Sequence, residues 1–170
     1  MNLESYIRDI PDYPKAGILF KDITPLIKDP DALKESVKLI ADYAKSLDVS
    51  IIAGIESRGF IFGTAVAVEL GVGFIPIRKP GKLPSETISE SYTLEYGSNT
   101  LEMHTDALTE GDRVLIVDDL LATGGTMQAA VKLVERSGAE ITGIAFVIEL
   151  VFLNGRGLLD GYNMKSLISY

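Results

Sequence analysis

The sequence contains no cysteine and a single histidine, His104. Without cysteine there is no disulfide framework, no thiolate metal site and no cysteine nucleophile, a composition suited to a reducing cytosol. With one histidine and no cysteine, neither a Ser-His-Asp arrangement nor a zinc-ligand cluster is expected, and a lone histidine after a strand reads as structural or solvated. No apolar stretch approaches the roughly 20 residues needed to span a bilayer. The opening Met1-Asn2-Leu3-Glu4-Ser5 lacks the basic cluster and apolar run of a secretory signal. A soluble, cytoplasmic protein is expected. Positive charge is also scarce. A net charge of −8 argues against broad contact with nucleic acid or an acidic membrane surface. Any polyanionic ligand must therefore be met by cations concentrated locally.

What is present reads as one domain spanning residues 1–170, with no repeat, low-complexity tract or linker. Asp29-Pro30-Asp31 predicts a helix start, with Asp29 as cap and Pro30 at the first helical position. Leu33, Val37, Ile40, Ala44 and Leu47 then lie on one apolar face. Ile51 to Ile55 predicts a buried strand, Phe60 to Leu70 a buried helix closed by Gly71, and Phe74 to Ile77 a second strand. Pro80 to Ser91 has no apolar periodicity and predicts a loop of about a dozen residues, long enough to serve as a lid. Tyr92 to Tyr96 and Thr100 to Met103 alternate around Gly97-Ser98-Asn99, which predicts an inserted β-hairpin. Arg113 to Val117, Met127 to Arg136 and Ile141 to Ile148 then read as strand, helix and strand. The order implies an α/β fold, a mainly parallel sheet flanked by helices.

The most informative segment is Val114-Leu115-Ile116-Val117-Asp118-Asp119-Leu120-Leu121-Ala122-Thr123-Gly124-Gly125-Thr126. A buried strand delivers two carboxylates near its C-terminal end, and a turn of small residues then opens a helix. Unpaired backbone N–H groups at such a turn, with the positive end of the helix dipole, form a cradle for phosphate. Gly124 and Gly125 allow close approach, and Thr123 and Thr126 add hydroxyls. Asp118 and Asp119 would accept hydrogen bonds from hydroxyls attached to the phosphate, such as those of a ribose. The same residues alone also fit an acidic surface turn with Thr123 or Thr126 capping a helix. The spacing does not match the Walker pattern, which disfavours a P-loop nucleoside triphosphatase. Arg78, Lys79 and Lys82 fall within five residues, and Arg58 follows Glu56-Ser57, so this acidic chain does concentrate cations.

The Asp-Asp-Leu-Leu-Ala-Thr-Gly-Gly-Thr segment resembles the phosphoribosyl diphosphate motif of type I phosphoribosyltransferases, and its wording is similar to that of the adenine-specific members. The resemblance extends from about Ile10 to Tyr170. Pro14 to Leu26 resembles the base-binding segment, Ile52 to Phe60 the diphosphate loop, and Arg78 to Pro84 with Leu94 to Gly97 the lid and the element after it. Ile148-Glu149-Leu150 and Phe152 to Arg156 follow the C-terminal pattern.

The resemblance implies transfer of a phosphoribosyl group to adenine, giving AMP and diphosphate. It implies a type I phosphoribosyltransferase-like sheet with a β-hairpin lid insertion, Mg2+ carried with the diphosphate, and a homodimer, with Arg78 serving across the interface. It also implies a cis peptide between Glu56 and Ser57. Ala122, Thr123, Gly124, Gly125 and Thr126 would then hold the 5′-phosphate, Asp118 and Asp119 the ribose, and Arg58, Arg78, Lys79 and Lys82 the diphosphate. By the same resemblance the backbone of Leu19 and the side chains of Phe20 and Lys21 surround the purine. Many members carry Arg where this chain has Lys21, and lysine lacks the planar fork of a guanidinium. Glu95 becomes the candidate for proton exchange with the purine as N9 attacks, and Tyr96 for holding the lid; Glu95 alone would read as a solvent-facing strand residue. Two other readings stay open from the residues: the same transfer to xanthine, guanine, hypoxanthine or orotate, and a non-catalytic sensor of phosphoribosyl diphosphate. A scaffold would not need an acid pair, a phosphate turn and a cation cluster together.

Overall fold

The computed structural model describes residues 1–93 and 98–170. After a short 3-10 turn, strands β1 (Arg8–Pro11) and β2 (Leu19–Asp22) form an antiparallel hairpin that sequence reading does not anticipate. Helices α1 (Thr24–Lys28) and α2 (Pro30–Lys45) follow. The Asp29 carboxylate accepts from the N–H groups of Asp31 and Ala32, the cap the sequence predicts. The predicted face of α2 packs on the core, with Ile40 and Ala44 fully buried and Leu33, Val37 and Leu47 partly buried against it. Ala32, Ser36, Ile40, Ala41 and Ala44 are buried, while Leu33 and Val37 flank the contact.

Strand β3 (Ile51–Ile55), helix α3 (Arg58–Leu70) and strand β4 (Gly73–Ile77) come next, then the hairpin β5 (Thr87–Thr93) and β6 (Ser98–His104). Strand β7 (Arg113–Leu121), helix α4 (Gly125–Arg136), strand β8 (Glu140–Glu149), two short 3-10 turns and strand β9 (Met164–Ser169) complete the order. Strands β4, β3, β7, β8 and β9 lie in that order in one sheet, every pair parallel. Helices α2 and α3 cover one face around Phe62, Leu26 and Leu115, and α4 with the β5–β6 hairpin covers the other around Phe146, Ile116 and Leu133.

Three expectations change in detail. The predicted loop from Pro80 to Ser91 is shorter, because β5 already begins at Thr87. Ile88 and Tyr92 pack against the core, but Glu90 between them faces Lys132 and Arg136 of α4 at 3.2 and 3.6 Å. A carboxylate on the inward face hides the period-two pattern from a hydrophobicity reading. Helix α3 is not buried all round, since Val68 is 77% exposed. Strand β7 runs four residues beyond Val117, so Asp118 and Asp119 lie within the strand rather than past its end. His104 has a structural role: its Nε2 accepts from the N–H of Ser85, 3.3 Å away.

Candidate active site

The acid pair owes its accessibility to uneven strand pairing. Strand β7 pairs with β3 only as far as Val117, but with β8 as far as Leu121. One edge of β7 is therefore open beside Asp118 and Asp119, near the C-terminal strand ends where open parallel sheets bind ligands. Helix α3 starts against this edge. A Cβ on Gly59 would lie 2.8 Å from the Val117 carbonyl oxygen and 3.0 Å from Asp118 Oδ1, so only glycine permits the approach. The approach sets Arg58 beside the acids, with its Nε 2.9 Å from Asp119 Oδ2.

Burial pushes Asp118 well above the usual carboxylate range, and the adjacent Asp119 charge pushes the same way. Burial also raises Asp119, against the opposing pull of the Arg58 guanidinium. The two carboxyls share one site and titrate as a pair. They resist holding two negative charges together unless cations or hydroxyl donors face them.

Beyond Leu121 the chain turns through Ala122, Thr123, Gly124, Gly125 and Thr126 into α4. Gly124 has φ of 90°, the left-handed region that favours glycine. No side chain caps α4, so neither Thr123 nor Thr126 plays the capping part that the sequence leaves open. The helix thus presents its first N–H groups and positive dipole end to the cavity. Thr126 Oγ1 instead donates to Tyr92 Oη on the hairpin, at 3.1 Å.

These elements enclose a cavity of about 320 Å³. Asp118, Asp119, Arg58, Lys79 and the whole turn from Ala122 to Thr126 line it together. Arg78 and Lys82 do not. Arg78 is held by Glu56, Nε to Oε2 at 2.7 Å, and donates through Nη1 to the Lys82 carbonyl at 3.2 Å. Lys82 is exposed. The Glu56–Ser57 peptide is cis, as the resemblance implies.

The base-binding candidates sit on the β1–β2 hairpin, outside that cavity lining. Leu19 is half exposed, and Phe20 meets Tyr13 edge to face with ring centroids 5.2 Å apart. Arg58 joins this hairpin to the acids: its guanidinium lies 5.8 Å from the Phe20 ring while its Nε holds Asp119. Lys21 points elsewhere, with its Nζ 2.7 Å from Asp9 and 3.6 Å from the centre of the Tyr170 ring. Its ammonium braces the hairpin against the C-terminus. Glu95 and Tyr96 lie outside the described residues.

Sequence reading missed Tyr92 and Asn99, which line the cavity from the hairpin, and the part of Glu56 in holding Arg78. The place of Tyr92 at the head of the alternating Tyr92 to Tyr96 segment is the signal that could have found the first. Nothing local marks Glu56, whose partner is 22 residues away.

Comparison with known proteins agrees with this geometry. The phosphoribosyl transferase domain family matches residues 27–161. An adenine phosphoribosyltransferase of Kosmotoga olearia is 55% identical over 170 residues, all of both chains. The crystal structure of adenine phosphoribosyltransferase from Thermoanaerobacter pseudethanolicus superposes with a TM-score of 0.96 at 54% identity, covering 99% of this chain and 98% of that one. The Saccharomyces cerevisiae enzyme, complexed with adenine and an imino-altritol bisphosphate, superposes with a TM-score of 0.91 at 41% identity, covering 97% and 96%. The family match over residues 27–161, the full-length identity and the shared five-stranded parallel sheet place the chain in the phosphoribosyltransferase family, among the adenine phosphoribosyltransferases.

Proposed function

We propose that the chain is an enzyme transferring the phosphoribosyl group of phosphoribosyl diphosphate to N9 of adenine, giving AMP and diphosphate. The observation that carries the reading is the single cavity in which an uncapped helix start, an acid pair and two cations face one another. The full-length identity to adenine phosphoribosyltransferases points to adenine as the acceptor.

The turn from Ala122 to Thr126 holds the 5′-phosphate through backbone N–H groups and the Thr123 and Thr126 hydroxyls. Asp118 and Asp119 accept hydrogen bonds from the ribose hydroxyls, and Arg58 and Lys79 face the diphosphate. Arg78 and Lys82 join them when the Glu56–Arg78 pair opens. The bond from ribose C1 to the diphosphate oxygen breaks with its electron pair, and positive charge develops on the sugar. The N9 lone pair forms the new bond and the ring proton leaves, with Glu95 as its acceptor. Orientation of the two substrates and preorganised charge supply most of the acceleration. The backbone of Leu19 reads the purine edge and Phe20 stacks on the ring. Lys21 supports that hairpin from behind.

Mg2+ fits as an ion carried by the substrate. Among the described residues no group of three or more histidines and carboxylates is placed to hold a metal. A few carboxylates with diphosphate oxygens and water satisfy this cation, and Asp118, Asp119 and Glu56 are the carboxylates that line the cavity. When bound, it supplies neutralisation of the diphosphate leaving group. A homodimer is supported by the outer face of α3, where Val68 and Ile61 are exposed; Arg78 would cross such an interface only by leaving Glu56. The lack of cysteine supports a cytoplasmic location, and no described helix is long and apolar enough to cross a membrane.

The test is nucleotide formation from phosphoribosyl diphosphate and Mg2+ with an equimolar mixture of adenine, guanine, hypoxanthine and xanthine. Selective AMP is expected. A different nucleotide would overturn the acceptor, and binding of phosphoribosyl diphosphate without any product would replace the enzyme by a sensor.

A further inference from the structure

Behind the phosphate turn the chain passes a second time. Strand β8 ends at Glu149, in register with Leu121, and the Leu150 N–H donates to the Leu121 carbonyl at 2.9 Å. The chain then makes two 3-10 turns, and Gly155 comes directly against the phosphate turn. A Cβ on Gly124 would lie 2.5 Å from the Gly155 carbonyl oxygen, and a Cβ on Gly155 would lie 3.1 Å from the Gly124 nitrogen. Two backbones are therefore in contact with no side chain between them. Among the described residues no hydrogen bond joins Gly155 to the turn, so Gly155 acts as a wall whose place must be set from elsewhere.

Arg156 sets it. Its Nε and Nη2 reach the two Glu149 oxygens at 2.6 and 2.7 Å, a bidentate fork. Ser166 on β9 donates to Glu149 Oε2 at 2.6 Å and accepts from Arg156 Nη2 at 3.2 Å. Glu149 is only 4% exposed, so the fork is anchored in the sheet. On the other side Gln128 of α4 donates to the Leu158 carbonyl at 3.5 Å, and Leu159 is fully buried. None of Glu149, Gly155, Arg156 and Ser166 lines the cavity.

We infer that Arg156 is a positioning residue for the 5′-phosphate: its fork to Glu149 and Ser166 holds Gly155 as a buttress behind the Ala122–Thr126 turn. The inference rests on the placement of the 5′-phosphate proposed above. Loosening the fork lets the turn fall back from the phosphate while leaving the diphosphate side of the cavity intact, because Arg58 and Lys79 belong to other elements. A guanidinium is required, since an ammonium cannot make two parallel bonds to one carboxylate.

The test measures equilibrium binding of ribose 5-phosphate and of diphosphate, with KM and kcat, for Arg156→Gln, Arg156→Lys and Ser166→Ala. For Arg156→Gln, ribose 5-phosphate binding and KM for phosphoribosyl diphosphate should worsen about 10-fold, the scale of a loosened substrate-positioning contact. Diphosphate binding, KM for adenine and kcat at saturation should stay within about 2-fold. Arg156→Lys should fall between, and Ser166→Ala, which removes the two hydrogen bonds of its hydroxyl and keeps the Arg156–Glu149 fork, should cost roughly 2- to 3-fold. Equal weakening of both ligands would reduce the fork to general stability and overturn the inference. So would unchanged ribose 5-phosphate binding in a folded Arg156→Gln, or in Ser166→Ala should the arginine variants not fold. A wild-type chain that binds no ribose 5-phosphate would instead overturn the phosphate placement itself.

Discussion

At the scale of single residues, the acid pair shows function opposing stability. Asp118 ionises with difficulty in its buried place beside Asp119. Its folded pKa lies above the unfolded value, so folding takes up a proton between the two, and stability falls as pH rises across that window. Above the window the whole unfavourable contribution is present. Asp118→Asn should therefore raise Tm at pH 8 by about 2–4 °C, the effect of roughly 1 kcal/mol in a chain of this size. The gain should shrink as pH drops toward the usual carboxylate range. The same variant should lose about 10-fold or more in kcat/KM for phosphoribosyl diphosphate, through a lost charge-assisted hydrogen bond. Thermal melts at several pH values, set beside initial rates, check both halves. A variant that loses stability at pH 8, or keeps normal activity, would remove the acid from the role assigned to it.

At the scale of elements, the β5–β6 hairpin is fastened to the helix that starts at the phosphate turn. Glu90 faces Lys132 and Arg136, the Ser89 carbonyl accepts from Arg136 Nη1 at 2.7 Å, and Tyr92 meets Thr126. A phosphate that takes the Thr126 hydroxyl proton as its donor leaves that oxygen free to accept from Tyr92. Tyr92→Phe should then raise KM for phosphoribosyl diphosphate roughly 3- to 10-fold, one lost hydrogen bond, with Tm changed by less than about 3 °C. Steady-state kinetics with varied phosphoribosyl diphosphate decide it; an unaltered KM would leave the contact a matter of packing. The sequence makes legible those elements whose burial is uniform, such as Ile51–Ile55, or whose ends carry a chemical signal, such as the Asp29 cap and Gly71. It hides those whose pattern depends on a distant partner. Glu90 breaks the alternation of β5 because its partners lie on α4, and β1–β2 is a hairpin of exposed or half-exposed positions apart from Asp22. The phosphate turn and acid pair are legible because their neighbours in space are neighbours in sequence. Glu56 with Arg78, and Gly155 with Gly124, are not.

At the scale of the whole molecule, the proposed chemistry calls for a metal carried by the substrate rather than by a cage of protein ligands. Among the described residues no cluster of histidines and carboxylates is arranged as a metal cage. Chelation with EDTA should abolish AMP formation, restored by Mg2+, while moving Tm by less than about 1 °C. Calorimetry with and without chelator tests this, since an ion bound to the native state alone would raise Tm by mass action. A drop of several degrees would reveal a structural ion. The Glu149–Arg156–Ser166 fork also bears on the order in which competence is gained during synthesis. The residues of the phosphate turn leave the ribosome more than twenty positions before Gly155 and about forty before Ser166. A nascent chain thus displays the complete signature motif while the wall behind it is still unmade. On the phosphate placement proposed above, full capture of the sugar phosphate awaits β9.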